Sequence, residues 1–311
     1  MLDVKRLRVL REVAAKGSFS AAAESLAYTQ SAVSQQIAAL EREAQVQLVE
    51  RSARGVRLTE AGRALVRHAD VILARLADAE AELGAIAGLR GGRLRMVSFA
   101  TAGATLMPRA IALFRERHPG VELTLEPAEP DESPDQLKSG ECDIALTIDA
   151  PFCSTTADGI DRVDLLEDPM YVVLPRGHAL ASKPRIRLEE LSDDPWIGGS
   201  SGGCPDTLIL LRACQAAGFE PRIAFHSDDY LAIQGFVAAG VGVSLIPDLA
   251  LLAVRDDVVI RSLASRPPVR IIQAATLRDG YRSPAVGAML EILGQTGAEF
   301  AGERRELALA S

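Results

Sequence analysis

Cysteine is scarce in this chain. Four of 311 residues (Cys142, Cys153, Cys204 and Cys214) are too few for a disulfide scaffold. Histidine is as rare, and His68, His118, His178 and His226 are scattered, with no HExxH or paired CxxC spacing that could hold zinc. Ser200 and Ser201 have no neighbour recognisable as a base, so nucleophilic catalysis has no signature either. The expectation is a protein that is not an enzyme and needs neither metal nor cofactor. Long apolar runs are missing too; those present are short and broken by charge, which argues against a membrane span. The chain opens directly on an amphipathic pattern without the apolar core of a signal peptide, so the cytoplasm is the expected compartment. What remains is globular protein, 48% hydrophobic, long enough for two or three domains.

The charge is unevenly spread. Residues 1–68 hold 11 Lys and Arg against 7 Asp and Glu, a net of +4, so the other 243 residues carry −12 of the overall −8. A small basic head on an acidic body implies that only the head meets a polyanion.

The head begins "LDVKRLRVLREVAAKG", where Leu7, Leu10 and Val13 share a helix face and Gly17 suits the stop. A short alanine-rich helix over about 20–26 and a turn at Ala27–Tyr28 lead to "TQSAVSQQIAALE". There Val33, Ile37 and Leu40 recur at helical spacing behind Thr29, a fitting N-cap. The opposite face of this helix carries Gln30, Ser31, Ser34 and Gln35, which are uncharged and able both to donate and to accept. Two short helices, a tight turn and a polar-faced second member make a helix-turn-helix pattern. "VERSARGVRLTEAG" follows, with Val56 and Leu58 alternating about Arg57 and a turn at Arg54–Gly55, so a two-stranded wing is expected. Arg51, Arg54 and Arg57 fall within seven residues, placed for phosphate or minor-groove contact.

From Thr59 one long helix is expected to about Gly88. Leu65, Ala69, Ile72, Leu76, Ala79, Leu83 and Ile86 alternate spacings of four and three, a heptad seam that favours a partner helix over packing on its own domain. "GLRGGR" at 88–93 reads as a hinge. Beyond it short apolar strands alternate with helices: "LRMVSF", "LMPRAIALFRERH", "VELTLE", "PDQLKSG" and "CDIALTI", then "MYVVLP", "PWIGG", helices over 205–217 and 228–239, "PRIAFH" and "VSLIP". Late strands at about 258–262 and 269–277 precede a helix from Ser283. This alternation predicts a mostly parallel, doubly covered sheet in two subdomains, with ligand at the carboxyl ends of the strands. The expected division is 1–58, a helical head with its wing; 59–88, the dimerising linker helix; and 89–311, an α/β body. Within the body, subdomain I spans about 92–165 and 268–300, and subdomain II about 166–267.

"LRVLREVAAKGSFSAAAESLAYTQSAVSQQIAALE" and "LVERSARGVRLTEAG" together resemble the LysR-type transcriptional regulators, and "LPRGHAL" and "VAAGVGVSLIP" extend the resemblance over nearly the whole chain. It implies a winged helix-turn-helix, a dimerising linker helix and an effector domain like the periplasmic solute-binding proteins, built from two Rossmann-like subdomains. It further implies a homodimer assembling to a homotetramer, double-stranded DNA with a dyad-symmetric promoter site, and a small-molecule effector between the subdomains. Amide side chains bond adenine edges bidentately, and serines suit either base type. On this reading Gln30, Ser31, Ser34 and Gln35 read bases, Thr29 lies near phosphate, and Arg51 and Arg54 fall on the wing. Many relatives carry Arg where this chain has Gln35, so the preferred base there differs.

The resemblance places Thr101, Glu129–Pro130, Gly198, Gly199 and Ser200 around the cleft. Thr101 follows a strand, and the backbone amides of "IGGSSGG" at 197–203 are placed to close on a ligand. Most known effectors of the family are small carboxylates, and the effector expected here is a carboxylate or an amino-acid-like metabolite. Glu129 and Asp149, expected near the mouth, count against a strongly anionic ligand and favour an amine-bearing one. An alternative input is thiol redox chemistry. Peroxide-sensing relatives set two cysteines nine residues apart across one helix, and Cys204 and Cys214 are ten apart. Cys214, however, shares an apolar stripe with Leu210 and Leu211, where a cysteine behaves as a small buried hydrophobe. A stand-alone solute receptor, a further alternative, leaves the basic head unexplained.

Overall fold

A computed structural model describes residues 1–52, 55–86, 92–150, 159–199, 205–278, 280 and 282–309. The head comprises α1 (Val4–Lys16), α2 (Phe19–Ser25), α3 (Gln30–Ala44), and a hairpin of β1 (Val49–Ser52) with β2 (Gly55–Leu58). Each helix start has its own cap. Asp3 accepts from the amides of Lys5 and Arg6, Ser18 from Ala21, and Thr29 from Ala32. Gly17 ends α1 at φ 62°, a left-handed backbone that glycine adopts without steric penalty. Leu7, Leu10 and Val13 meet Phe19, Ala22, Val33, Ile37 and Leu40 in one buried core. Each such large side chain contributes about 1.5–3 kcal/mol by leaving water. The wing is tied down from two sides: Glu41 at the end of α3 accepts from the amides of Leu48 and Val49, and Val56 donates to the carbonyl of Gly17.

Thr59 caps α4 (Glu60–Ile86), its hydroxyl accepting from Gly62 at 3.0 Å. A Cβ on Gly62 would lie 2.0 Å from the carbonyl oxygen of Leu48, so only glycine allows the helix to leave the wing here. The heptad seam divides along this helix. Ala69 is buried in the head's own core and Leu65 packs against it, so these two serve the fold of the head instead of a partner. Ile72, Leu76 and Leu83 are 41%, 45% and 67% exposed, leaving the apolar stripe open only from residue 72 onward. The side chain of Ile86 lies outside the described residues.

The body contains β3 (Gly92–Ser98), α5 (Ala100–Ala104), α6 (Leu106–Arg117), β4 (Val121–Pro127), α7 (Ser133–Ser139), β5 (Ile144–Asp149) and β6 (Ile160–Pro175). Next come β7 (Arg185–Ile186), β8 (Pro195–Gly198), α8 (Pro205–Ala216), β9 (Arg222–His226), α9 (Tyr230–Ala238), β10 (Ser244–Pro247), β11 (Val258–Leu263), β12 (Val269–Leu277) and α10 (Pro284–Leu309). Strand β3 pairs parallel with β4 and β5, and β8 parallel with β9. The sheet is nonetheless mixed, not mostly parallel. Strand β12 runs antiparallel to both β5 and β6, and β6 is antiparallel to β10 and β11 as well. The reason is connectivity. Strand β6 carries the chain out of the first subdomain, pairing with β12 through Pro169 and with β10 from Met170, and β12 brings it back in the opposite sense. Two long antiparallel strands therefore cross between the halves.

Candidate functional site

In the head, α3 turns Thr29, Gln30, Ser31 and Gln35 outward while Val33, Ile37 and Leu40 are buried. Ser34 is half-buried. The Thr29 and Ser31 hydroxyls lie 3.0 Å apart, so the first turn of α3 presents a continuous patch of donors and acceptors. Arg57 on β2 is exposed. The side chain of Arg51 and the whole of Arg54 lie outside the described residues. The helix is held from behind: Arg6 on α1 donates to Gln36 at 3.2 Å and pairs with Glu43. An uncharged polar face can form hydrogen bonds to base edges without repelling phosphates.

In the body, a cavity of about 270 Å³ lies between the ends of β3 and β4 on one side and of β8 on the other. It brings together Thr101, Glu129, Pro130, Gly198 and Gly199, while Ser200 lies outside the described residues. Asp149, expected at the mouth, does not line it; that residue pairs with Ile271 at the end of β5. The amide of Gly199 is also committed elsewhere. It donates to the Thr207 hydroxyl at 3.0 Å, and the Gly199 carbonyl contacts His226 Nδ1 at 2.7 Å. Of the expected amide cradle, this part is used to brace the lip.

The centre of the site is a group that the sequence motifs do not reveal. Arg270, on β12, is 1% exposed. Its Nε donates to Asp168 on β6 at 2.8 Å, Nη1 to both carboxylate oxygens of Asp206 at 3.0 and 3.1 Å, and Nη2 to Thr101 Oγ1 at 2.8 Å. The guanidinium also sits 5.5 Å from the ring centroid of Phe99, a cation–π distance. Burial opposes its charge, but Asp206 and Asp168 outweigh burial and hold it protonated above the ordinary arginine value. Asp168 is itself fully buried and accepts from the Leu249 amide at 3.0 Å, while Asp206 also accepts from the Tyr230 hydroxyl. One cation thus links both crossing strands to both lips. Thr101 is a lining residue whose oxygen is already engaged. A signal for this cluster exists in hindsight. "PVRIIQAATL" sets one charge, Arg270, in an otherwise uncharged strand, and a buried charge requires a partner.

The thiol alternative is tested at one of its two residues. Cys214 is fully buried in α8, and burial pushes its thiol up to about 12, so the nucleophilic thiolate is all but absent at neutral pH. Cys204 lies outside the described residues. No helix among the described residues is long and apolar enough to cross a membrane.

Two family models match the sequence: the bacterial regulatory helix-turn-helix protein of the lysR family over residues 4–63, and the LysR substrate binding domain over residues 87–298. Among curated relatives, the probable HTH-type transcriptional regulator LrrA of Synechococcus elongatus is 32% identical over 298 residues, covering 96% of this chain and 98% of its own. The HTH-type transcriptional regulator AlsR of Bacillus subtilis is 28% identical over 263 residues, 84% of this chain and 86% of its own. Among solved structures, full-length CbnR complexed with its target DNA superimposes with a TM-score of 0.71 at 23% identity, over 95% of this chain and 100% of that one. At that identity the likeness speaks to fold.

Proposed function

The chain belongs to the LysR family of transcriptional regulators, and from that premise we propose that a small polar effector, held in the cleft between the two halves of its body, switches its binding to a dyad-symmetric promoter site. The observation that carries this reading is the 270 Å³ cavity whose lips, Thr101 on one side and Gly198–Gly199 on the other, are linked through two crossing strands and one buried arginine. Two lobes on a pair of strands have a hinge by construction, and a ligand that touches both lips favours the closed form. The ligand shifts the equilibrium only by its differential affinity for the two forms.

The DNA is read by Gln30, Ser31, Ser34 and Gln35, with Thr29 and the wing arginines Arg51 and Arg54 on the backbone. The acting unit is a homodimer, joined by the open stripe of α4 and assembling to a tetramer. The test is a gel shift with the DNA upstream of the protein's own gene, titrated with metabolites that raise the melting temperature of the full-length chain. A stabilising compound should change affinity or footprint length. Ala100→Trp fills the cavity from an exposed position at the start of α5; it should abolish that response. A response that survives Ala100→Trp unchanged would put the effector elsewhere.

A further inference from the structure

The linker helix touches more than the head. Val71, Ala74 and Arg75 of α4 are half-buried, and together they line a crevice of about 70 Å³ against the body of their own chain. At about 100° per residue, Ala74 points about 160–200° away from Ile72 and Leu76, so this face lies opposite the open apolar stripe. The landing point is Gly140, which ends α7. A Cβ there would lie 2.6 Å from the Ala74 Cβ, so the two helices leave no room for a side chain at 140. Gly280 lies against the Arg75 guanidinium on the same side. Gly140 is itself fixed to the sheet. Arg95 on β3 donates to its carbonyl and also grips Asp143, just ahead of β5, with two bonds of 2.7 and 3.2 Å.

The strands behind this corner lead to the cleft. β3, β5 and β12 lie side by side in the sheet, and each has one end at α4 and the other at the effector cavity. Arg95 on β3, Asp143 before β5 and Leu277 on β12 line the crevice. Phe99 after β3, Ile148 on β5 and Arg270 on β12 line the cavity. At about 3.3 Å per residue these strands span about 20–30 Å. A close-packed, hydrogen-bonded layer has low compressibility and passes displacement from one end to the other. The contact with α4 also contains a repulsion. Asp70, half-buried one turn before Ala74, has its carboxyl raised above the ordinary aspartate value by burial; Arg11 of the head lowers it, and Glu141, next to the landing point, raises it. A docked helix that carries such an opposition is releasable.

We propose that the docking of α4 on the end of α7 and the end of β12 is the intrachain contact through which the state of the cleft sets the position of the head. One face of the helix holds the partner while the opposite face follows the body. The proposal rests on the cleft being the effector site.

Hydrogen exchange of the full-length protein, read by mass spectrometry, tests this in both directions, because a coupling between two sites is reciprocal. Ala74→Leu adds bulk where Gly140 leaves no room, and Val71→Ala removes contact from the same face without adding any. Each should speed exchange about fivefold at residues 137–143 and, across the sheet, at 99–103 and 269–272. Conversely, Ala100→Trp, which fills the cavity, should change exchange at 70–76 by about the same factor, and should lose that effect in the Ala74→Leu background. Ala77→Leu, the same enlargement at an exposed position of α4, is the control and should change neither region. Sedimentation of Ala74→Leu should match the parent's, since the open stripe is untouched.

Faster exchange confined to 137–143, with the cleft segments unchanged in both variants, would make the contact merely structural and overturn the proposal. No change at 137–143 in either variant, or equal changes in Ala77→Leu, would overturn it as well. So would an effect of Ala100→Trp at 70–76 that survives Ala74→Leu, or an Ala74→Leu protein that loses its assembly. None of these results touches the cleft as the effector site, which stands or falls on the gel-shift response that Ala100→Trp is to abolish.

Discussion

Residues on one turn of α3 divide their work by direction. Thr29 closes the helix, its hydroxyl accepting from the Ala32 amide at 3.2 Å, and is exposed together with Gln30 and Ser31 beside it. This division follows from the helical period alone, which is why it is legible in the sequence: Val33, Ile37 and Leu40 fix the buried face, and the opposite face is then determined. Gln30 carries a terminal amide and is exposed. Gln30→Ala should lose about 1–3 kcal/mol of discrimination at one base pair in each half-site while leaving the fold of the head untouched. Competition gel shifts against sites varied one base pair at a time would read this directly. Unchanged preference at every position would mean that α3 is not the reader.

Elements carry information that single residues do not. The seam of α4 is regular in sequence from Leu65 to Ile86, yet it serves two different surfaces. Its first part, Leu65 and Ala69, is covered by α1 and the rest of the head core; its continuation through Ile72, Leu76 and Leu83 is open. Periodicity cannot distinguish these, because a helix packed on its own domain and a helix packed on a partner need the same stripe. The two parts should therefore answer differently to the same insult. Leu76→Asp sets a charge where only a partner helix would bury it, so the monomer should fold at the wild-type temperature while the dimer is lost. Leu65→Asp sets one against the head's own core, so the head itself should unfold more easily. Sedimentation and thermal unfolding on both variants separate the cases. A Leu76→Asp protein that still sediments as the parent assembly would remove α4 as the main contact.

The whole molecule holds together through contacts that no local pattern announces. The alternation of strands and helices, their order and most of their limits were readable, as were the wing and both lips of the cleft. The direction of the crossing strands and the buried arginine were not. Asp168 and Arg270 are 102 residues apart in sequence, and Thr101 and Arg270 are 169 apart, so only the completed fold brings the cation to its partners. This cluster should also dominate the stability of the body. Removing one partner of a buried ion pair leaves the other charge without compensation, a loss of about 3–5 kcal/mol. Asp168 is fully buried and supports both Arg270 and the Leu249 amide, whereas Asp206 keeps 16% of its side chain exposed to water. Asp168→Asn should therefore destabilise by about 3 kcal/mol, near the lower end because Asp206 still faces the guanidinium, and Asp206→Asn should destabilise less. The sequence supplies its own reporter. Its one tryptophan, Trp196, is fully buried on β8 with Nε1 donating to the Leu191 carbonyl, so its fluorescence follows unfolding of the body and not of the head. Urea titrations read at Trp196 should show the midpoint falling for Asp168→Asn with an unchanged slope, since the amount of surface exposed on unfolding stays the same. Equal midpoints for Asp168→Asn and the parent would mean that Arg270 is held by the lips and not by the crossing strands, and that the hinge is free of the charge at its centre.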